Sequence, residues 1–61
     1  MSTTDRFVDD KYLARRYSVR RATIWDWVRT RNFPRPIKFS PQCSRWRMSA
    51  VLDWEESREV A

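Results

Sequence analysis

Apolar positions along the chain fall into three short sets at helical spacing and one stretch that alternates. Leu13 and Tyr17 lie one turn apart behind Asp9 and Asp10, two good N-cap residues, with Val8 placed to staple the entry. This spacing predicts a first helix over roughly 10–16. Ile24, Trp27 and Val28 repeat at i, i+3, i+4 and predict a second helix over roughly 20–30. Tyr17-Ser18-Val19 makes the turn between them without glycine. The second helix should close near Arg31-Asn32, because Asn accepts the left-handed conformation and Pro34 blocks continuation.

After Pro34 the period changes to two. Ile37 and Phe39 flank Lys38, and Trp46 sits between Arg45 and Arg47, which predicts two half-buried strands around a polar turn with Cys43 at its tip. Apolar groups should then share one face of this hairpin and cations the other. Ser49 is expected to cap a third helix from Ala50 to about Ser57, with Val51 and Trp54 inward. Its outer face would be acidic, through Asp53, Glu55, Glu56 and Glu59. The expected fold is mainly α with a small β-hairpin, a winged helix-turn-helix of three short helices plus wing. Residues 8–58 form this domain, with 1–7 a flexible N-terminal tail and 59–61 a C-terminal tail.

Composition narrows the chemistry. Sixty-one residues contain no His, no Gly and one Cys. The commonest general base and metal ligand is missing, and one thiol builds neither an internal disulfide nor a cysteine-rich zinc site. Phosphate cradles that depend on glycine are absent as well. No enzyme, metal or cofactor is expected. The longest apolar run, Ala50-Val51-Leu52, is far short of a membrane span, and the N-terminus has no signal-peptide pattern, so a cytoplasmic protein with no membrane partner is expected. Four Trp, three Phe and two Tyr must supply much of the core.

The net charge of +5 hides an asymmetry. From Lys11 to Arg47 there are eleven basic residues and one acid, Asp26, so the middle carries +10 while the first ten residues carry −2 and residues 48–61 carry −3. Eleven of the thirteen basic residues are Arg, whose planar fork suits phosphate and the guanine edge. Double-stranded DNA is the expected partner. Arg20, Arg21, Thr23 and Trp25 would be the DNA-facing residues of the second, recognition helix. Arg20 or Arg21 either reads guanine or touches phosphate; Trp25 either faces DNA or packs into the core, whereas Trp27, Trp46 and Trp54 are expected in the core. In the wing, Lys38, Gln42, Ser44 and Arg45 should face outward with Arg35 near the base, and Arg45 or Arg47 is a candidate to stack on Trp46 or Phe39. Arg15, Arg16 and Arg29 are candidate phosphate contacts. Asp26 either accepts from cytosine or, the favoured role, orients Arg29 or Arg16. A small basic adaptor for an acidic protein is the alternative from another class, and single-stranded nucleic acid a weaker one because the strands are short.

Several segments together resemble the AlpA family of phage and prophage DNA-binding proteins. They are Tyr12-Leu13-Ala14, then Val19-Arg20-Arg21-Ala22-Thr23-Ile24-Trp25, then Asn32-Phe33-Pro34-Arg35-Pro36-Ile37-Lys38, and Arg45-Trp46-Arg47 followed by Trp54. The resemblance covers about residues 7–57. It implies a MerR-like winged helix, related to excisionases, that acts as a transcriptional regulator or excisionase of a mobile element. It also implies specific, often repeated DNA sites; the acidic face of the third helix either stays in solvent, away from phosphate, or meets an integrase or a neighbouring copy. Where the family usually carries Ser ahead of the second helix this chain has Arg20, so that helix is expected to lack a side-chain cap.

Overall fold

The computed structural model describes residues 6–58, and the expected tail residues 1–5 and 59–61 lie outside them. The chain runs β1 (Phe7–Val8), α1 (Asp10–Tyr17), α2 (Arg21–Thr30), β2 (Ile37–Ser40), β3 (Cys43–Arg47) and α3 (Met48–Glu56). Three helices with a small antiparallel sheet give the winged helix-turn-helix that the hydrophobic pattern predicts.

Local chemistry sets the helix ends. The Asp9 carboxylate accepts from the Tyr12 N–H at 2.8 Å and caps α1. At the other end Ser18 takes the left-handed conformation (φ 58°), and the Val19 N–H reaches back to the Ala14 carbonyl at 2.9 Å. A non-glycine residue there costs of order 1 kcal/mol, offset by the carbonyls it satisfies. Asn32 makes the second left-handed turn (φ 59°), as its side chain suits it to do. Arg20 precedes α2 with no side-chain cap.

The third helix starts earlier than the Ser49 cap predicts. Strand β3 runs directly into α3 at Met48, and the Met48 N–H donates to the Arg6 carbonyl at 2.7 Å. The backbone beside β1 thus satisfies an N–H that a capping side chain would otherwise take. This contact was hidden because β1 is only two residues long. Phe7, grouped by the sequence with the tail, pairs with Arg47, and Val8 pairs with Trp46, so the predicted hairpin is a three-stranded sheet in the order β1-β3-β2.

The core is Val8, Leu13, Ala14, Ile24, Phe33, Trp46, Met48 and Val51. Trp46, Leu13, Ile24 and Val51 are fully buried, and burial of a large apolar side chain contributes about 1.5–3 kcal/mol. Trp27 and Trp54 close the core from one side, stacked with ring centroids 5.6 Å apart, and Phe33 and Tyr17 meet both edge-on or tilted. The indoles also tie down loops. Trp46 Nε1 donates to the Pro34 carbonyl at 2.7 Å, and Trp54 Nε1 to the Arg31 carbonyl at 3.2 Å. Among the described residues no helix is long and apolar enough to cross a membrane.

Candidate nucleic-acid interface

Helix α2 presents Arg20 and Arg21 at its N-terminus, both exposed, with Thr23 half-buried one turn on. Ile24 points into the core and fixes which side of the helix faces out. No hydrogen bond or ion pair of the Arg20 or Arg21 side chains occurs among the described residues. The first turn also contains no acid. Two cationic forks therefore stand at a helix end whose free N–H groups already favour anions.

Trp25 resolves the choice left by the sequence into both halves. It is 38% exposed, yet its ring packs on Trp46 at 5.0 Å and its indole N–H donates to Asp10 at 3.1 Å. Its N–H is engaged within the chain while the residue stays partly exposed. Trp25 lines a groove of about 310 Å³ together with Asp10, Lys38, Pro41, Gln42, Ser44 and Arg45. The groove unites α2 with four of the five wing residues singled out in the sequence. Asp10 and Pro41 join it, although the sequence assigns them only a capping and a turn role.

The wing's faces differ from the simple alternation. Ile37 stands opposite Arg45, Lys38 opposite Ser44, and Ser40 opposite Cys43, with an irregularity between Lys38 and Ser40. Opposed residues share a face. Lys38 and Ser44 thus lie on the side of Trp46, toward α2, while Ile37 shares a side with Arg45; apolar and cationic groups do not segregate. The cause is the irregularity in β2, which changes register near Phe39. Phe39 is consequently 55% exposed and packs edge-on against Phe7 at 5.3 Å. Arg47 lies over the Phe7 ring, 5.2 Å from its centroid. Arg45 donates to the Ser44 carbonyl. Cys43 is half-buried as the first residue of β3, and Pro41-Gln42 form the tip.

Arg15 is exposed on α1, as a phosphate contact requires. Arg16 is not available in the same way. Its Nε and Nη2 donate to the two Glu55 carboxylate oxygens at 2.6 and 2.9 Å, tying α1 to α3. Tyr17 donates its hydroxyl to the same carboxylate. Arg16 holds the Glu55 carboxyl below its ordinary value, and Glu55 in turn raises the Arg16 guanidinium. Burial, then the Glu55 contact, pushes the Tyr17 phenol up. Glu55 is therefore a brace between helices and not part of a solvent-facing acidic stripe, a correction invisible in sequence because the partners lie 39 residues apart. Glu59 lies outside the described residues.

Asp26 pairs with Arg29 at 2.7 Å, the favoured of its two expected roles. Both are well exposed, so the pair trims the charge of Arg29 more than it stabilises the fold. Arg29 and Arg35, with Val28 and Pro36, line a second open recess of about 520 Å³ at the wing's base. Arg35 thus sits beside the end of α2 and apart from the groove under the wing.

Comparison with known proteins adds a family. Residues 6–59 match the family model described as prophage CP4-57 regulatory protein (AlpA). The chain is also similar to a protein named excisionase from Enterobacteria phage phi80, 27% identical over 55 residues, covering 79% of this chain and 85% of that relative. No solved structure matches.

Proposed function

Since the chain belongs to the prophage AlpA regulatory family, we propose that it binds a specific double-stranded DNA sequence of a phage or mobile element, without enzymatic chemistry. In this role Arg20 and Arg21 enter the major groove at the start of α2, where a bidentate arginine–guanine contact is worth about 1–3 kcal/mol of discrimination. The backbone of one strand lies along the groove between Trp25 and the wing, against Lys38, Gln42, Ser44 and Arg45, with Thr23 beside it. Arg15, Arg29 and Arg35 supply flanking phosphate contacts. Arg16 is left out of that set, because its fork is held by Glu55.

The observation that carries the proposal is that Trp25, one turn after the exposed Arg21 on α2, shares a groove with the wing's Lys38, Gln42, Ser44 and Arg45. The likeness to an excisionase supports a role in controlling excision, beside or in place of transcription, at repeated sites in the cytoplasm. The exposed acids of α3, Asp53 and Glu56, are suited to meet an integrase or a neighbouring copy away from phosphate.

A footprint on duplex DNA from the region upstream of the chain's own gene, and from an adjacent attachment site, tests this. A protected sequence that tolerates excess nonspecific DNA is expected. With about six phosphates neutralised, log K should fall with log salt at a slope of about −5. A slope near zero, or stoichiometric capture of an acidic protein with no footprint, overturns it in favour of the adaptor.

A further inference from the structure

One cationic cluster lies away from the groove under the wing, on the flank of α1 that faces α3. Tyr12 is its centre. The Arg6 guanidinium lies over the Tyr12 ring, 5.2 Å from its centroid, and Arg16 Nη1 donates to the phenol oxygen at 3.4 Å. Tyr12, Arg15 and Arg16 line an open recess of about 360 Å³. Two carboxylates reach this flank and both are engaged: Asp9 caps the helix at the Tyr12 N–H, and Glu55 holds the fork of Arg16. Arg6 and Arg15 have no carboxylate partner among the described residues. Arg15 and Arg16 stand out in the sequence as candidate phosphate contacts, but Arg6 precedes a two-residue strand and Tyr12 reads as a helix position, so only the packed structure adds them.

The geometry points to a phosphate-binding site formed by Arg6, Tyr12 and Arg15, with Arg16 as the brace that positions the phenol. The phenol oxygen accepts from Arg16, so its own hydroxyl is left to donate outward. Arg15 lines the recess beside the phenol, Arg6 adds its charge over the Tyr12 ring, and the Arg16–Glu55 pair holds the remaining lining residue in place. The Tyr12 hydroxyl and the Arg15 guanidinium on one open recess, with the Arg6 charge beside them, are the donor set that phosphate oxygens take. The neighbouring guanidiniums, Arg6 foremost, lower the Tyr12 phenol from its ordinary value and make it a better donor. The phosphate comes either from the DNA backbone beyond the recognition helix, which rests on the duplex reading above, or from free inorganic phosphate.

Tyr12→Phe and Arg6→Gln in the full chain separate these, with thermal melting as a check on folding and Arg15→Gln as a further variant should either misfold. If the site takes backbone phosphate, Tyr12→Phe weakens duplex binding about 2- to 10-fold for every sequence alike. Arg6→Gln and Arg15→Gln each make the salt slope about 0.9 shallower. If it takes free phosphate, duplex affinity is unchanged, while saturable shifts of the Tyr12 and arginine NMR signals on adding inorganic phosphate are seen in the unaltered chain and lost in the variants. Unchanged duplex affinity and no saturable phosphate shift overturn the site and leave the duplex reading standing. A chain that binds no duplex at all removes the duplex reading but leaves the inorganic phosphate titration to decide the site.

Discussion

Arg16 and Arg21 are five positions apart and both lie in the +10 middle of the chain, yet they do opposite things. Arg16 is clasped through two nitrogens by Glu55, next to a tyrosine bound to the same carboxylate. Arg21 stands exposed at an uncapped helix end with no hydrogen-bond or ion-pair partner among the described residues. One arginine belongs to the scaffold and the other is available for a ligand. The difference teaches that a basic segment is not a uniform binding surface, because a carboxylate delivered from elsewhere in the chain decides which cations remain free.

The sharpest way to break the comparison is to remove each arginine and measure both affinity and stability. Arg21→Ala should weaken binding to the preferred duplex by about 1–3 kcal/mol, roughly 5- to 150-fold, with much less loss on unrelated sequence. Its melting temperature should stay put, as an exposed surface change normally shifts stability by less than about 0.5 kcal/mol. Arg16→Ala should do the reverse. Losing a bidentate, partly covered pair costs about 1 kcal/mol, which lowers the melting temperature of a domain this small by about 4–8 °C. Below that melting point it should keep its sequence preference, and any loss of duplex affinity should be equal on every sequence and no larger than that of Tyr12→Phe. Equal effects of both variants on affinity would erase the distinction.

Acidity sharpens the same contrast. Glu55 has its folded pKa held down, so its contribution is present above the ordinary glutamate value and lost as pH falls through the lowered one. Tyr17 has its folded pKa raised, so its contribution is complete below the ordinary value of 10.0 and fades as pH rises beyond it. Chemical unfolding across pH should therefore weaken at both extremes, and Glu55→Gln should flatten the acid limb. Glu55→Gln also costs about 0.5–1 kcal/mol near neutrality.

The smallest expected effect is at Asp26. Asp26→Ala frees Arg29 and should strengthen duplex binding by a few tenths of a kcal/mol, about 1.5- to 2-fold, equally on all sequences. A change in sequence preference would instead mean that Asp26 touches a base edge.

Much of the fold was legible because its cues are local. Asp9 caps α1, Asn32 takes the left-handed turn and Ile24 marks the inner side of α2, all through interactions within a few residues of each position. The misses share a cause of the opposite kind. The two residues of β1 carry no period, and α3 begins before its Ser49 because its first N–H is satisfied by Arg6, 42 positions away. Alternation predicts Phe39 half-buried, but the strand changes register beside it.

For the candidate site, the residue types were legible and their grouping was not. Arg20, Arg21, Lys38 and Arg45 stand out by chemistry alone, but only the packed structure shows Trp25 held by Asp10 and Trp46 as a wall of the groove that Lys38 and Arg45 line. By itself the sequence determined the helices, their turns, the concentration of arginine and the aromatic core, since each depends on near neighbours or on composition. The tertiary structure alone decided which arginines are bound, which way each wing residue faces and where the grooves lie. Those depend on which distant residues pack together, and one carboxylate at 3 Å changes the role of a cation without altering a letter near it.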